Sequence, residues 1–213
     1  KRGWANSGIR FNGKGNGIWY LITLLAYPVS FIIVLTAGKL SGQIIIFGTS
    51  EQLFSLLLLG LGTQFVPRMI FALMEEFGWR GFLDPKLESL GLSDIPRYII
   101  TGFIWGIWHI PLIISTKYTN IPLQIFIPIF LVGIVVVSFA YGAIRKMTKS
   151  VWPAVLMHGT ANTIAFAVLS SGMVEFNNPV FMDLSNASIT MLLIWAVISL
   201  LIFRLVNSRV DFG

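Results

Sequence analysis

The chain has 213 residues, of which 55% are hydrophobic, 14% aromatic and only 11% charged, and its mean hydropathy is +0.81. A soluble domain carries about 25% charged residues, so the composition nearly excludes a soluble enzyme or a disordered chain. The absence of cysteine excludes a disulfide framework, a thiol nucleophile and a Cys-based zinc site. The net charge of +6 indicates the cytoplasmic bias of Lys and Arg in membrane proteins rather than a nucleic-acid partner.

Six hydrophobic segments with few or no charges divide the chain. A helix crosses the hydrocarbon core with about 20 mostly apolar residues, and five of the segments meet this requirement cleanly. The sequence therefore predicts an all-α, polytopic bundle of about six transmembrane helices. We expect one integral membrane domain over residues 1–213, with 1–17 as a cytoplasmic N-terminal segment. The segments are 15–38, 52–67 with a continuation at 69–74, 98–116, 118–144, 150–174 and 184–203.

The second segment is ambiguous because Glu51, Pro67 and Arg68 interrupt it. We interpret it as one helix over about 51–83 that is kinked at Pro67, where the ring removes a backbone donor. The alternative is a span over about 42–66, followed by a separate half-buried helix that carries Glu75. Residues 84–90 are predicted to form a short interfacial helix with a proline near its start.

The basic residues set the expected orientation, because short loops rich in Lys and Arg stay in the cytoplasm. With six spans, both termini share one side with the connections at 84–97 and 145–149. Two basic residues, Lys39 and Lys117, fall on the opposite side, and Arg68 lies within a span. Both termini are therefore predicted to be cytoplasmic. The basic residues on their side are Lys1, Arg2, Arg10, Lys14, Arg80, Lys86, Arg97, Arg145, Lys146, Lys149, Arg204 and Arg209.

Ionisable residues inside a membrane are costly and usually face a cavity or a partner. A first cluster has the sequence Glu-Glu-Phe-Gly-Trp-Arg at 75–80. On a helix, Glu76 and Arg80 lie about 40° apart and can form an ion pair. Glu75 points about 100° away from Glu76. Its carboxylate is therefore outside this ion pair and is available for a catalytic or binding role. An ordinary charge cluster at a helix end, with Arg80 reaching the interface, is the plainer interpretation.

Two further clusters contain the two histidines of the chain. Trp105 and His109 are four residues apart on one helix face, and so are His158 and Asn162. At 1.5 Å per residue from the expected cytoplasmic ends, His109 lies roughly 18 Å deep and His158 roughly 12 Å deep. Since Glu75 also lies near the cytoplasmic end of its helix, we expect one cavity in the cytoplasmic half to hold all three clusters.

These side chains suit the hydrolysis of a peptide bond, which needs an activated water and a donor for the developing oxyanion. A carboxylate and an imidazole can activate the water, and an Asn amide can bind the oxyanion. Alternatively, Glu75, His109 and His158 could form a zinc site with two histidines and one carboxylate. The HExxH pattern is absent, so nothing local favours a metal, and no cofactor is predicted.

The three clusters resemble the motifs of the CPBP family, which comprises CAAX proteases and bacteriocin-processing enzymes and is also called Abi. The family pattern is EExxxR, then FxxxH, then HxxxN, on separate membrane helices. Glu75, Glu76 and Arg80 match the first motif. Trp105 stands where Phe is usual, which predicts a narrower cavity beside His109. The order and spacing fit over a motif-bearing core at about 50–170, including the third motif at His158 and Asn162.

The resemblance implies an intramembrane endopeptidase that hydrolyses a membrane-associated peptide or a lipidated CAAX-like tail. It assigns Glu75 as the base and His109 as its partner, with His158 and Asn162 as oxyanion donors. Glu76, Arg80 and Trp105 would have a structural or substrate-orienting role. We expect a multi-pass protein of a prokaryotic cell membrane, in contact with lipids and such a substrate. A non-catalytic immunity or scaffold protein is the main alternative, and a small proton-coupled transporter is a weaker one.

Overall fold

Helices dominate the structure, a computed structural model that describes residues 6–116 and 119–210. Lys1, Arg2 and Lys117, which entered the orientation prediction, lie outside these residues. The described residues form α1 (Gly17–Leu40), β1 (Ile44–Ile46), α2 (Ser50–Gly78), a π-helical turn (Trp79–Leu83), α3 (Asp84–Ser89), α4 (Asp94–Ser115), α5 (Leu123–Thr148), α6 (Trp152–Ser170), β2 (Val174–Phe176) and α7 (Ile189–Val210). The two short strands, which we did not predict, pair antiparallel, with Ile44 opposite Phe176.

Five helical segments within the described residues are long and apolar enough to cross a membrane: Gly17–Leu40, Ser50–Ser89, Asp94–Ser115, Leu123–Thr148 and Ile189–Arg209. They confirm the predicted all-α polytopic bundle. The remaining long helix, α6, is not among the five. It packs against both α1 and α2 and is buried along most of its length. Its surroundings are therefore mainly protein rather than lipid.

The second hydrophobic segment forms one continuous helix, as predicted. Thr49 and Gln52 close a capping box at its start, and α2 then runs unbroken through Pro67 to Gly78. The alternative span over 42–66 is wrong, because residues 44–46 form β1. The π-helical turn joins α2 directly to α3, which is the predicted short helix and has Pro85 in its first turn. Arg68 lies in this helix with its guanidinium 4.5 Å from the ring centroid of Phe166.

One end of the bundle, which we call the basic end, gathers residues 6–16, 84–94 and 145–152 and the last turns of α7. Lys146 Nζ lies 2.8 Å from a carboxylate oxygen of Asp94 and 3.0 Å from the side-chain oxygen of Asn207. The predicted orientation places this end in the cytoplasm. We had counted Arg80 among the basic residues on the cytoplasmic side. Its side chain is instead fully buried and ion-paired with Glu76, so it is not part of the surface of the basic end.

The opposite end, which we call the hairpin end, carries β1 and β2. From there residues 177–188 turn back into the bundle, and we call this segment the re-entrant loop. Asn186 Nδ2 donates to the hydroxyl of Tyr27 at 3.5 Å, and Tyr27 lies 13 residues, or about 20 Å, before the end of α1. A Cβ on Gly133 would lie 2.0 Å from the Asn186 carbonyl oxygen, so only glycine permits this approach. We had predicted helix from residue 184, but α7 begins at Ile189.

The carboxyl of Asp183 is largely buried in the re-entrant loop. It accepts hydrogen bonds from the Leu184 backbone N–H and the Ser185 hydroxyl. Burial raises the pKa of Asp183 above its usual value of 3.8, although these hydrogen bonds partly offset the shift. The folded chain therefore holds the proton of Asp183 more strongly than the unfolded chain does.

The buried carboxyl predicts a pH-dependent stability difference between the native chain and Asp183→Asn. As the pH rises from about 4, the folded state must ionise a carboxyl that the unfolded state ionises more easily, so stability falls. We expect Asp183→Asn to melt a few degrees higher than the native chain at pH 7, with the difference shrinking towards pH 4. Tryptophan-fluorescence melting in detergent measures this, and a pH-independent difference would contradict it.

Candidate active site

A buried ion pair within the first motif also makes a hydrogen bond to the third motif. Arg80 Nη1 lies 3.1 and 3.0 Å from the two carboxylate oxygens of Glu76, and both side chains have 0% exposure. This confirms the predicted pair. The same carboxylate also bonds His158 Nδ1 at 2.9 Å. Because a carboxylate can only accept, Nδ1 carries the proton, and the ring presents Nε2 as its other nitrogen.

The Arg80 guanidinium is enclosed by two aromatic rings. Its carbon lies 4.5 Å from the ring centroid of Trp105 and 4.6 Å from that of Tyr141, and Nη2 donates to the Ser138 hydroxyl at 3.2 Å. Cation–π contacts of this kind gain strength when water is excluded. The ion pair therefore connects α2 through these partners to α4, α5 and α6 at one point.

Glu75 faces away from this ion pair, as the helical geometry predicted. One of its carboxylate oxygens, Oε2, accepts a hydrogen bond from the indole N–H of Trp105 at 3.0 Å. The same oxygen lies 3.9 Å from Nε2 of His109. The side chains of Glu75 and His109 keep 25% and 20% of their surface exposed. Unlike Glu76, Glu75 remains within reach of water and of another molecule.

The imidazole of His109 is held by its own helix. Its Nδ1 lies 2.9 Å from the backbone carbonyl of Trp105, one turn earlier in α4. Since a carbonyl only accepts, Nδ1 donates, and the Nε2 that faces Glu75 is an acceptor when the ring is neutral. A water bonded to both Glu75 Oε2 and His109 Nε2 at about 2.8 Å fits their separation of 3.9 Å.

A cavity of about 130 Å³ extends from the two histidines into the bundle. We had predicted one cavity that holds all three clusters. Residues of the second and third motifs line the cavity, whereas Glu75 is outside its lining. On α6 the lining runs from His158 to Leu169, about 16 Å along the helix towards the hairpin end. Trp105 lines the cavity beside His109.

Asn162 also lines the cavity, one helical turn after His158. Within the part of the chain that the structure describes, its side-chain amide has no hydrogen-bond partner. Its N–H groups are therefore available to another molecule. The three motifs thus meet in two linked places: Glu75 with Trp105 and His109, and Glu76 with Arg80 and His158.

The zinc alternative required Glu75, His109 and His158 to converge on one point. His158 turns its Nδ1 to Glu76, while Glu75 and His109 face each other. No group of three or more His, Asp or Glu side chains within the described ranges is arranged to hold a metal ion.

Four polar residues that line the cavity escaped the sequence analysis. Tyr27 and Tyr141 lie in otherwise apolar stretches of α1 and α5, and Ser185 and Asn186 were placed within a predicted span. Tyrosine and asparagine inside long apolar segments were the available signal, but no local motif distinguishes them from packing residues.

Comparison with known proteins places these motifs in a family. The sequence pattern of the type II CAAX prenyl endopeptidase Rce1-like family matches residues 51–164, which is more than half of the chain and covers all three motifs. A protein named CAAX prenyl protease 2, from Methanococcus maripaludis, is 30% identical over 157 residues. That alignment covers 67% of this chain but only 56% of the archaeal protein.

No solved structure matches the chain. The matched region nevertheless contains the ion pair, the Glu75–His109 pair and Asn162 in one arrangement. Together with the five apolar helices, the match identifies an integral, multi-pass membrane protein. The chain belongs to the Rce1-like family of type II CAAX prenyl endopeptidases.

Proposed function

We propose that this protein is an intramembrane endopeptidase in which Glu75 activates water. The observation that carries the proposal is the separation of 3.9 Å between Glu75 Oε2 and His109 Nε2. A carboxylate and an acceptor nitrogen at this distance can bind one water between them and remove its proton. The partial exposure of both side chains leaves room for that water and for a peptide carbonyl.

The reaction would proceed in two steps. Glu75 takes a proton from the water as the oxygen attacks the scissile carbonyl carbon, while His109 orients the water. The carbonyl oxygen becomes an oxyanion, for which the side-chain amide of Asn162 acts as a donor, joined by Nε2 of His158 when both nitrogens of that ring carry a proton. Glu75 then gives its proton to the leaving amine as the carbon–nitrogen bond breaks. No metal takes part in this proposal.

Glu76 and Arg80 would act through His158 rather than on the substrate. Both side chains have 0% exposure, so neither can contact a peptide in this conformation. Glu76 instead fixes the protonated nitrogen and the direction of the His158 ring. This favours the structural part of the role predicted for the two residues.

The substrate class follows from the relative. The archaeal protein is named a CAAX prenyl protease, and we propose that this chain also cleaves a lipidated peptide or another membrane-associated peptide. A protein embedded in the membrane meets such substrates at high local concentration. We place it in a prokaryotic cell membrane, in contact with lipids and without a nucleic-acid partner.

The first prediction concerns Glu75→Gln, which keeps the shape of the side chain but removes the base. We expect the native chain to cleave at least one peptide in a panel of farnesylated CAAX peptides, unmodified peptides and leader-type peptides. Glu75→Gln should lower the rate by a factor of about 10³ or more. Mass spectrometry of the products, with and without chelator, measures both effects.

Each result of the panel points to one function. Cleavage that needs Glu75 and survives chelator supports the proposal. Cleavage that chelator abolishes and zinc restores would replace it with a metal mechanism. A biological effect that persists in Glu75→Gln would favour a scaffold that binds a partner without cutting it.

The second prediction separates the two adjacent glutamates by stability. Glu76→Gln leaves Arg80 buried without its counter-charge, which costs about 3–5 kcal/mol and should lower the melting temperature by more than about 5 °C. Glu75→Gln is the matched control because it removes the same charge one residue earlier, at a partly exposed site. Fluorescence melting of both variants in the same detergent tests this. Equal melting temperatures would contradict the structural role of Glu76.

The third prediction concerns the indole N–H of Trp105. Trp105→Phe keeps a ring beside Arg80 but removes the donor to Glu75, so the carboxylate loses its orientation. We expect kcat to fall about tenfold with little change in KM, as suits the loss of one hydrogen bond to a charged group. Trp108→Phe is the control, because Trp108 is 63% exposed and contacts Trp79 rather than Glu75. Similar kcat values for both variants would contradict this role.

A further inference from the structure

The polar groups of the cavity are not equally available to a ligand. The Tyr27 hydroxyl accepts a hydrogen bond from Asn186, and the ring of Tyr141 lies against the Arg80 guanidinium. The Ser185 hydroxyl donates to Asp183 and accepts from the Ala187 backbone N–H. These three residues are therefore engaged inside the protein.

Asn186 differs from them. Its Nδ2 donates to Tyr27 at 3.5 Å, the limit of a hydrogen bond. Within the described part of the chain its side-chain oxygen has no hydrogen-bond donor. Asn186 is only partly buried and lines the same cavity as His158 and Asn162. Its amide therefore offers both a donor and an acceptor to a molecule in the cavity.

Hydrogen bonds and close packing hold the backbone that carries this amide. The re-entrant loop is closed by hydrogen bonds from Ile189 N to the Val180 carbonyl, at 3.0 Å, and from the Ser188 hydroxyl to the Asp183 carbonyl, at 2.9 Å. The missing side chain of Gly133 lets the Asn186 backbone lie directly against α5. A group held on such a fixed loop needs little further ordering when a ligand binds.

The chemistry of a peptide in this cavity indicates what Asn186 could bind. An extended peptide carries an N–H and a C=O on each residue, and both are costly to bury without a partner. The rest of the lining is largely aromatic and aliphatic, with Phe31, Phe130 and Ile134 on α1 and α5. A side-chain amide is complementary to a peptide unit because it can donate to the carbonyl and accept from the N–H.

We propose that Asn186 is a substrate-binding residue that hydrogen-bonds a main-chain amide of an extended peptide in the cavity beyond His158. The inference rests on the proposed peptidase function and adds a binding group that lies outside the region matched by the family. Asn186 positions the peptide by its backbone, so the contact is independent of the substrate side chains. It is distinct from Asn162, which faces the reacting carbonyl in the proposed mechanism.

The experiment measures binding without cleavage. The Glu75→Gln chain, in detergent, is titrated with a fluorescent farnesylated CAAX peptide, and the titration is repeated with Asn186→Ala added. A set of peptides in which one backbone amide at a time is replaced by an ester removes a single N–H from each. We expect one ester to weaken binding about tenfold when Asn186 is present, and to have no effect on the Asn186→Ala chain.

Two controls separate binding from folding. Asn177→Ala changes an exposed amide before the turn into the bundle and should leave the affinity unchanged. Tyr27→Phe removes the hydrogen bond between Asn186 and α1 while keeping Asn186 itself. If Tyr27→Phe abolishes the ester effect as Asn186→Ala does, Asn186 acts through the fold and the inference is overturned.

The remaining outcomes distinguish this inference from the proposed function. Strong binding that does not depend on Asn186 overturns the proposed binding role of Asn186 but does not contradict the peptidase proposal. A farnesylated peptide that fails to bind the Glu75→Gln chain with Asn186 intact contradicts both for this substrate class. In the cleavage assay of the native chain, Asn186→Ala should raise KM about tenfold with kcat within a factor of two or so of native. A loss confined to kcat would contradict the inference.

Discussion

The arrangement of the site depends on one buried ion pair. Glu76 and Arg80 are fully removed from solvent, and a charge in such a position is tolerated only when it is paired and hydrogen-bonded. The pair satisfies this requirement by recruiting His158, Ser138 and two aromatic rings from three other helices. The need to neutralise two charges inside an apolar bundle therefore orients the groups that face the cavity.

The sequence was most informative where its physical signal is local. Charge-free stretches located the long helices with ends that are off by up to seven residues, and the spacing of four between Glu76 and Arg80 predicted their ion pair correctly. The contact of Glu76 with His158 joins residues 82 positions apart, and no periodicity within one helix reveals it. The exclusion of Glu75 from the cavity lining was missed for the same reason, because it depends on how helices pack against each other. The re-entrant loop was also not predicted, since residues 184–188 were assigned to the start of a transmembrane helix.

The tryptophan at position 105 illustrates how a conservative change can alter chemistry. By size and aromatic character it substitutes for the phenylalanine of the family pattern, and the sequence suggested only a steric effect. The indole adds an N–H that phenylalanine lacks, and this N–H meets the Glu75 carboxylate at 3.0 Å. The same ring covers Arg80. One side chain therefore contacts both the partly exposed carboxylate and the buried ion pair.

The buried position of α6 has a consequence for how the chain enters the membrane. α6 carries both His158 and Asn162, and it is buried along most of its length and packs against α1 and α2. A helix enclosed in this way has little direct contact with lipid, so its place in the membrane depends on the surfaces that α1 and α2 provide. Both of these helices precede it in the chain. They can therefore be in the bilayer before α6 is synthesised, and the residues of the candidate active site would then be brought together late in insertion rather than at its beginning.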